Sequence, residues 1–242
     1  MSGVLIINAD DWGMDQASTD RALACVQRGA VSSVSAMVLM EDSERAAARA
    51  REHGVDCGLH LNLTAAFTGP GVSSRLQEQQ RRIRSFLRSH ALAPALYHPG
   101  LAGCFAAVVQ AQLEAFERAY GEPPRRIDGH HHMHLCANVR MQKLLPAGTI
   151  VRRNFSFTAG EKNWLNRWYR RRQDAHLTRR YRTADYFFSL PPMDPARLRR
   201  ICCLAETAAV EMETHPVRDE EYRFLMREET GIRVARGYLL AG

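Results

Sequence analysis

The residues able to do chemistry are concentrated in three short stretches and one late histidine. They are Asp10 and Asp11 in NADDWG, His60 in GLHLN, the run DGHHHMH from Asp128 to His134, and His215 in ETHP. Imidazole nitrogens and carboxylate oxygens together suit Zn, Fe, Mn or Co, whereas Mg usually prefers all-oxygen surroundings. Three protein ligands would leave open positions for water and substrate, as a catalytic site requires. A divalent metal there would lower the pKa of a water molecule and polarise a carbonyl oxygen. Each stretch also has a plainer reading. Adjacent aspartates often cap a helix or sit in a solvated turn, and a lone His60 is more often a satisfied core histidine than a ligand. Four histidines within seven residues are harder to dismiss, and their mid-chain position around Met133 rules out an affinity tag.

The elements that would carry these residues follow from the apolar pattern. Val4 to Ala9 is an apolar run ending at Asp10 and Asp11, as expected of a buried strand. Asp15 can cap a helix reaching about Arg28, with Gly29 as its left-handed end. Val31 to Met40 reads as a second strand, and Asp42 as the cap of a helix ending at Gly54. Asp56 to Leu63 reads as a third strand, alternating Cys57, Leu59, Leu61 and Leu63 with Gly58, His60 and Asn62. After an irregular stretch come a helix from about Cys104 to Tyr120, a strand at Arg126 to His131, and a short helix near Val139 to Leu145. A strand at Thr149 to Phe155 follows, then another at Ala184 to Leu190. A helix opens at Asp194-Pro195, and the chain continues with a strand at Val210 to His215 and a helix at Asp219 to Glu229.

Strands alternating with helices argue for parallel βαβ units. Seven or eight of them predict a (β/α) barrel with a missing or distorted unit, with an open doubly wound sheet as the alternative. In either fold the functional residues belong at the carboxyl ends of strands, where Asp10, Asp11, His60, the histidine run and His215 all fall.

The chain has 242 residues, 45% hydrophobic and 24% charged, which fits one globular domain with insertions near 65–103 and 158–183. No secretory signal and no apolar stretch of membrane-spanning length is read, and the six scattered cysteines read as reduced core residues. The expected location is therefore cytoplasmic. The net charge of +7 is local: residues 161–182 hold eight Lys or Arg against two acids, or +6. This segment, with Trp164, Trp168, Tyr169 and Tyr181, reads in three ways. It is a solvated helical insertion, a cover that binds an anionic or lipid-linked glycan, or a surface for nucleic acid or anionic membrane. For the protein as a whole, no nucleic-acid partner is expected.

IINADDWG, GLHLNLT at 58–64, IDGHHHMH at 127–134 and ETHP at 213–216, in this order, resemble the YdjC/ChbG family of carbohydrate deacetylases. The hopanoid-associated deacetylases belong to the same superfamily. The resemblance implies an irregular YdjC-like β/α barrel and hydrolysis of an N-acetyl group from an amino sugar in an oligosaccharide or glycolipid. It implies one divalent metal, Mg2+ in the family, on Asp11, His60 and His130. It implies Asp10 as general base on the attacking water and His215 as general acid for the leaving amine. A homodimer is also implied.

Successive strand residues point to opposite faces, so Asp10 and Asp11 can share a site only if the backbone turns between them. Asp128, His131, His132 and His134 would orient ligands or bind substrate, with Asp128 fixing the tautomer of a neighbouring histidine. Two positions depart from the family: Trp12 replaces the usual Phe, and Val217 replaces a common Gly after His215-Pro216. The first bears on the sugar platform, the second on the placement of His215. The competing functions are a metal hydrolase of another amide or a phosphoester, and a barrel that only binds sugar or senses metal.

Overall fold

The computed structural model describes residues 3–156, 174–175 and 177–227. Seven parallel strands form one sheet in the order β5-β4-β3-β2-β1-β7-β6. They are β1 Val4–Trp12, β2 Ser33–Ala36, β3 Cys57–Leu61, β4 Arg126–Gly129, β5 Ile150–Val151, β6 Tyr186–Ser189 and β7 Ala209–Thr214. The sheet curls until its two edges are linked beyond β5. There the Ser156 amide donates to the Phe187 carbonyl (2.8 Å), and the Phe187 amide to the Ser156 hydroxyl (3.1 Å). The architecture is thus the irregular β/α barrel that the strand rhythm predicts.

Alternation along the strands sorts the residues into two populations. Leu5, Ile7 and Ala9 of β1, Val34 and Ala36 of β2, Leu59 and Leu61 of β3, Ile127 of β4, and Val210 and Met212 of β7 all join the hydrophobic cluster. Apart from Ile6 and Gly58, the residues between them are polar, and several hydrogen-bond across the inside of the curl. Asn8 reaches Ser35 (2.7 Å), Ser35 reaches Asp128 (2.5 Å), and Arg126 reaches Asn8 (3.2 Å). Interior and exterior faces alternate in any barrel; here the interior face is the hydrophilic one.

The helices are α1 Gln16–Gln27, α2 Ser43–His53, α3 Ser74–Leu87, α4 Ala102–Tyr120, α5 Ala137–Met141, α6 Pro195–Leu204 and α7 Asp219–Leu225. Asp15 caps α1 by accepting from the Ser18 amide, and Asp194 caps α6 by accepting from the Arg197 amide. Gly29, Gly54 and Gly121 take the left-handed conformation at or just beyond their helix ends.

Several expectations need correction. Asp42 precedes α2 but does not cap it; its carboxylate is taken by the Thr19 hydroxyl (2.5 Å) and by Arg45 (2.6 and 2.9 Å). Five strands, β2 to β6, are shorter than expected. Leu39 turns with φ 63° beyond β2, β4 stops where the histidine run coils, and the chain past β5 crosses toward β6. The stretch 65–103 is more regular than it reads: it holds α3, capped by Ser73, and two 3-10 turns at Ala93–Ala95 and Pro99–Leu101. In α3 only Gln80, Ile83 and Leu87 are buried, a thin stripe among arginines that obscures the helical period. All six cysteines are unpaired, but only Cys25, Cys104 and Cys136 are buried, and Cys203 is exposed. Most of the basic segment 161–182 lies outside the described residues. Among those described, no helix is long and apolar enough to cross a membrane.

Candidate metal centre and catalytic site

The carboxyl ends of β1, β3 and β4 bring Asp11, His60 and His130 together, with one ligand atom from each within 4.8 Å of the others. His60 Nε2 lies 3.3 Å from Asp11 Oδ1, and His130 Nδ1 lies 2.9 Å from the same oxygen. Two backbone departures make this possible. β1 shifts register between Ala9 and Trp12, and Asp11 adopts φ 64°, so Asp10 and Asp11 turn into the same interior. A short polar side chain tolerates this left-handed conformation better than most. His131 (φ 55°) and His132 (φ 59°) do the same and fan the four histidines of the run in different directions.

Behind the cluster stands a second set of charges. Arg152, fully buried just past β5, reaches Asp10 with both terminal nitrogens (2.7 and 2.8 Å). It also meets Asp128 (2.8 Å), Glu211 (2.7 Å) and Glu213 (3.3 Å). Burial opposes the ionised form of Asp10, but the charges of Arg152 and His60 prevail and hold its carboxyl below the usual range. Asp128 is held low against burial in the same way, by Arg152 and His60. Glu213 goes the other way: burial, then the charge of Asp10, push it well above the ordinary value.

Asp128 also fixes His60. Its Oδ1 accepts from His60 Nδ1 (2.7 Å), which turns Nε2 toward Asp11 (3.3 Å). Burial opposes charge on His60, yet Asp10 and Asp128 raise its pKa well above the ordinary imidazole value. The donor set fits a cation. Five carboxylates (Asp10, Asp11, Asp128, Glu211 and Glu213) crowd this space; Arg152 pairs with four of them, and among the described residues Asp11 faces the imidazoles of His60 and His130.

The remaining predicted residues divide. His131 is exposed and pairs through Nδ1 with the Thr64 hydroxyl (2.9 Å), its ring against that of His130. His132 packs edge-on to Phe155 and Phe187 and lies 3.7 Å from Glu213. His134 is buried and donates from Nε2 to the Arg152 carbonyl (2.9 Å); burial pushes its pKa down to about 4. His215 follows β7 directly. Its amide donates to Glu221, and its buried Nδ1 has no hydrogen-bond partner among the described residues. The turn after it closes from the Arg218 amide to the His215 carbonyl (2.9 Å) without a positive φ at Val217, so that position needs no glycine.

Trp12 is corrected. It is fully buried in the hydrophobic cluster and presents no ring face to a sugar. Arg152, Glu211 and Glu213 are the site residues that sequence reasoning missed. The available signal was VEMET, in which two glutamates alternate with core residues and so must share a buried face that needs a cation.

The family model described as YdjC-like protein matches residues 4–235. A chitooligosaccharide deacetylase of Serratia marcescens is 33% identical over 140 residues, covering 56% of this chain and 52% of that protein. One of Proteus mirabilis is 29% identical over 166 residues, covering 60% and 58%. The chain thus spans about half the length of the curated relatives it matches. A crystal structure from Enterococcus faecalis V583, provisionally assigned as a cellobiose-phosphate cleavage protein, superposes with a TM-score of 0.63. It is 20% identical and covers 97% of each chain, a likeness of fold.

Proposed function

Because the chain belongs to the YdjC-like protein family, we propose that it is a metal-dependent hydrolase removing the N-acetyl group from an amino sugar in an oligosaccharide or glycolipid. One observation carries this reading: Asp11, His60 and His130 form a cation-binding cluster directly beside Asp10, whose carboxylate Arg152 holds ionised. The relatives named as chitooligosaccharide deacetylases supply the substrate class.

In this reading Asp11, His60 Nε2 and His130 Nδ1 hold one divalent ion, Mg2+ as in the family or Zn2+ as the two imidazoles would favour. When bound, the ion supplies Lewis-acid polarisation of the acetyl carbonyl and a lowered pKa for water. Asp10 takes the proton from the attacking water as its oxygen bonds to the carbonyl carbon. The bidentate grip of Arg152 aims that carboxylate and keeps it unprotonated until then. Asp128 keeps His60 in the tautomer with Nε2 free. The C–N bond then breaks, giving acetate and a free amine. His215 protonates the amine, which its unpartnered Nδ1 supports. The exposed His131 ring, held by the buried Thr64 hydroxyl, would contact the sugar.

The test is acetate release from N-acetylglucosamine oligomers by metal-loaded protein. Wild type should release acetate and chelated protein should not. Release unchanged by chelation, or none from any acetylated oligosaccharide, would refute the assignment.

A further inference from the structure

Six large hydrophobic side chains are exposed among the described residues, and four of them belong to one band: Leu92 (69%), Leu96, Tyr97 and Met141 (62%). The loop from Arg88 to His98 is fastened at its far end. The His98 ring packs edge-on to Phe86 of α3, and its backbone exchanges two hydrogen bonds with Asn138 of α5 (2.9 and 3.0 Å). Met141 lies one turn beyond Asn138, and with Arg140 and Lys143 it borders a cavity of about 710 Å3 that Arg179, Arg180 and Tyr181 close from the other side. On α3, Arg81, Arg84 and Arg88 line a shallow groove on the flank of the same loop.

The charge of this band is one-sided apart from Glu78, which pairs with Arg81 through both carboxylate oxygens (2.8 Å). The sequence has no Asp or Glu between Glu78 and Glu114, between Asp128 and Glu161, or between Asp174 and Asp185, and those intervals supply the band. The α3 side of the band adjoins the site: Gln80 of α3 donates to the Ala65 carbonyl (2.5 Å), and the neighbouring Thr64 hydroxyl pairs with His131 (2.9 Å).

We propose that this band is a docking surface for an anionic lipid bilayer, with Leu92, Leu96, Tyr97 and Met141 entering the headgroup layer and the surrounding Arg and Lys side chains meeting lipid phosphates. Apolar side chains ringed by cations are what an anionic interface selects. A second copy of the chain is a poor occupant, because a twofold contact would face cations with cations. Nucleic acid would not reward four exposed aliphatic and aromatic side chains spaced along a loop and a helix end. Docking here would hold the mouth of the site against the membrane. It is independent of the reaction proposed above.

Full-length protein should be floated with vesicles of phosphatidylcholine alone and with about one third phosphatidylglycerol, at about 0.1 M and about 0.5 M salt. Binding is expected to the anionic vesicles only, and should weaken at high salt. Each basic side chain removed should weaken it about fivefold, so Lys143→Gln with Arg179→Gln should lose about 25-fold. Leu92→Asp with Leu96→Asp should abolish it, while circular dichroism and acetate release from soluble oligomers stay as in wild type. Equal binding to both vesicle types, no binding to either, or undiminished binding by these variants overturns the proposal. So does binding of RNA in preference to vesicles, or a dimer lost in the Leu92→Asp/Leu96→Asp protein without vesicle binding.

Discussion

Asp10 and Asp11 are neighbours in sequence yet belong to differently built halves of the barrel interior. Asp10 is gripped by a guanidinium that also holds Asp128, Glu211 and Glu213. Among the described residues, the Asp11 carboxylate pairs with the imidazoles of His60 and His130. In one half the compensating charge is built into the chain; in the other it must arrive as a proton or a metal ion. In the proposed mechanism this difference separates a carboxylate kept ready to take a proton from one kept ready to bind a cation. Burying an unpaired charge is costly, so both halves are forced arrangements, but only the second can be emptied and refilled.

Removing the built-in charge should have the largest effect. Arg152→Met leaves four buried acids without their partner and is expected to lower stability by about 3–5 kcal/mol, read by urea unfolding at neutral pH. A loss below about 1 kcal/mol would mean that the guanidinium does not hold the interior together. Asp10→Asn should keep the bound metal and reduce kcat by roughly 100- to 10,000-fold, the usual contribution of a general base. Retained activity would move the base elsewhere.

A pH experiment probes the support behind Arg152. His134 has its pKa pushed down to about 4 by burial. Below about 6.5 the unfolded chain takes a proton on this residue that the fold refuses, so stability falls as pH drops from about 6.5 toward 4, by up to about 3 kcal/mol. His60, with its pKa raised in the metal-free fold, stays protonated there and opposes this decline close to pH 6.5, where the unfolded chain is only about half protonated at that residue. Urea melts of the metal-free protein between about pH 6 and 5 should show the decline, and His134→Gln should reduce it while leaving the share of His132, whose pKa burial pushes down to about 3. Asp128→Asn should weaken metal binding about 10- to 100-fold by calorimetry, since it frees the His60 tautomer. Val217→Gly should change stability by less than about 0.5 kcal/mol, because the turn there needs no left-handed residue.

The half around Asp11 was legible in the sequence because each of its residues lies at or near the carboxyl end of a strand with a recognisable apolar run. Period-two alternation in β3 already put His60 on the face opposite Leu59 and Leu61. The turn that lets Asp10 and Asp11 share an interior was not legible, since it depends on a left-handed Asp11 fixed by tertiary contacts. Arg152 was hidden differently. It sits beside Arg153 after a two-residue strand, and its carboxylate partners lie up to 142 positions away in the chain. No local pattern reports such a contact; only the glutamates of β7 hinted that a buried cation was required. Trp12 misled because a family comparison names the residue type and not the direction it faces.

The central claim is that Asp11, and not Asp10, holds the cation. Metal content of wild type, Asp10→Asn and Asp11→Asn protein, loaded with Zn2+ and desalted, tests it most directly. The expected result is one equivalent in wild type and Asp10→Asn, and little or none in Asp11→Asn. Metal retained by Asp11→Asn but lost from Asp10→Asn would contradict the account.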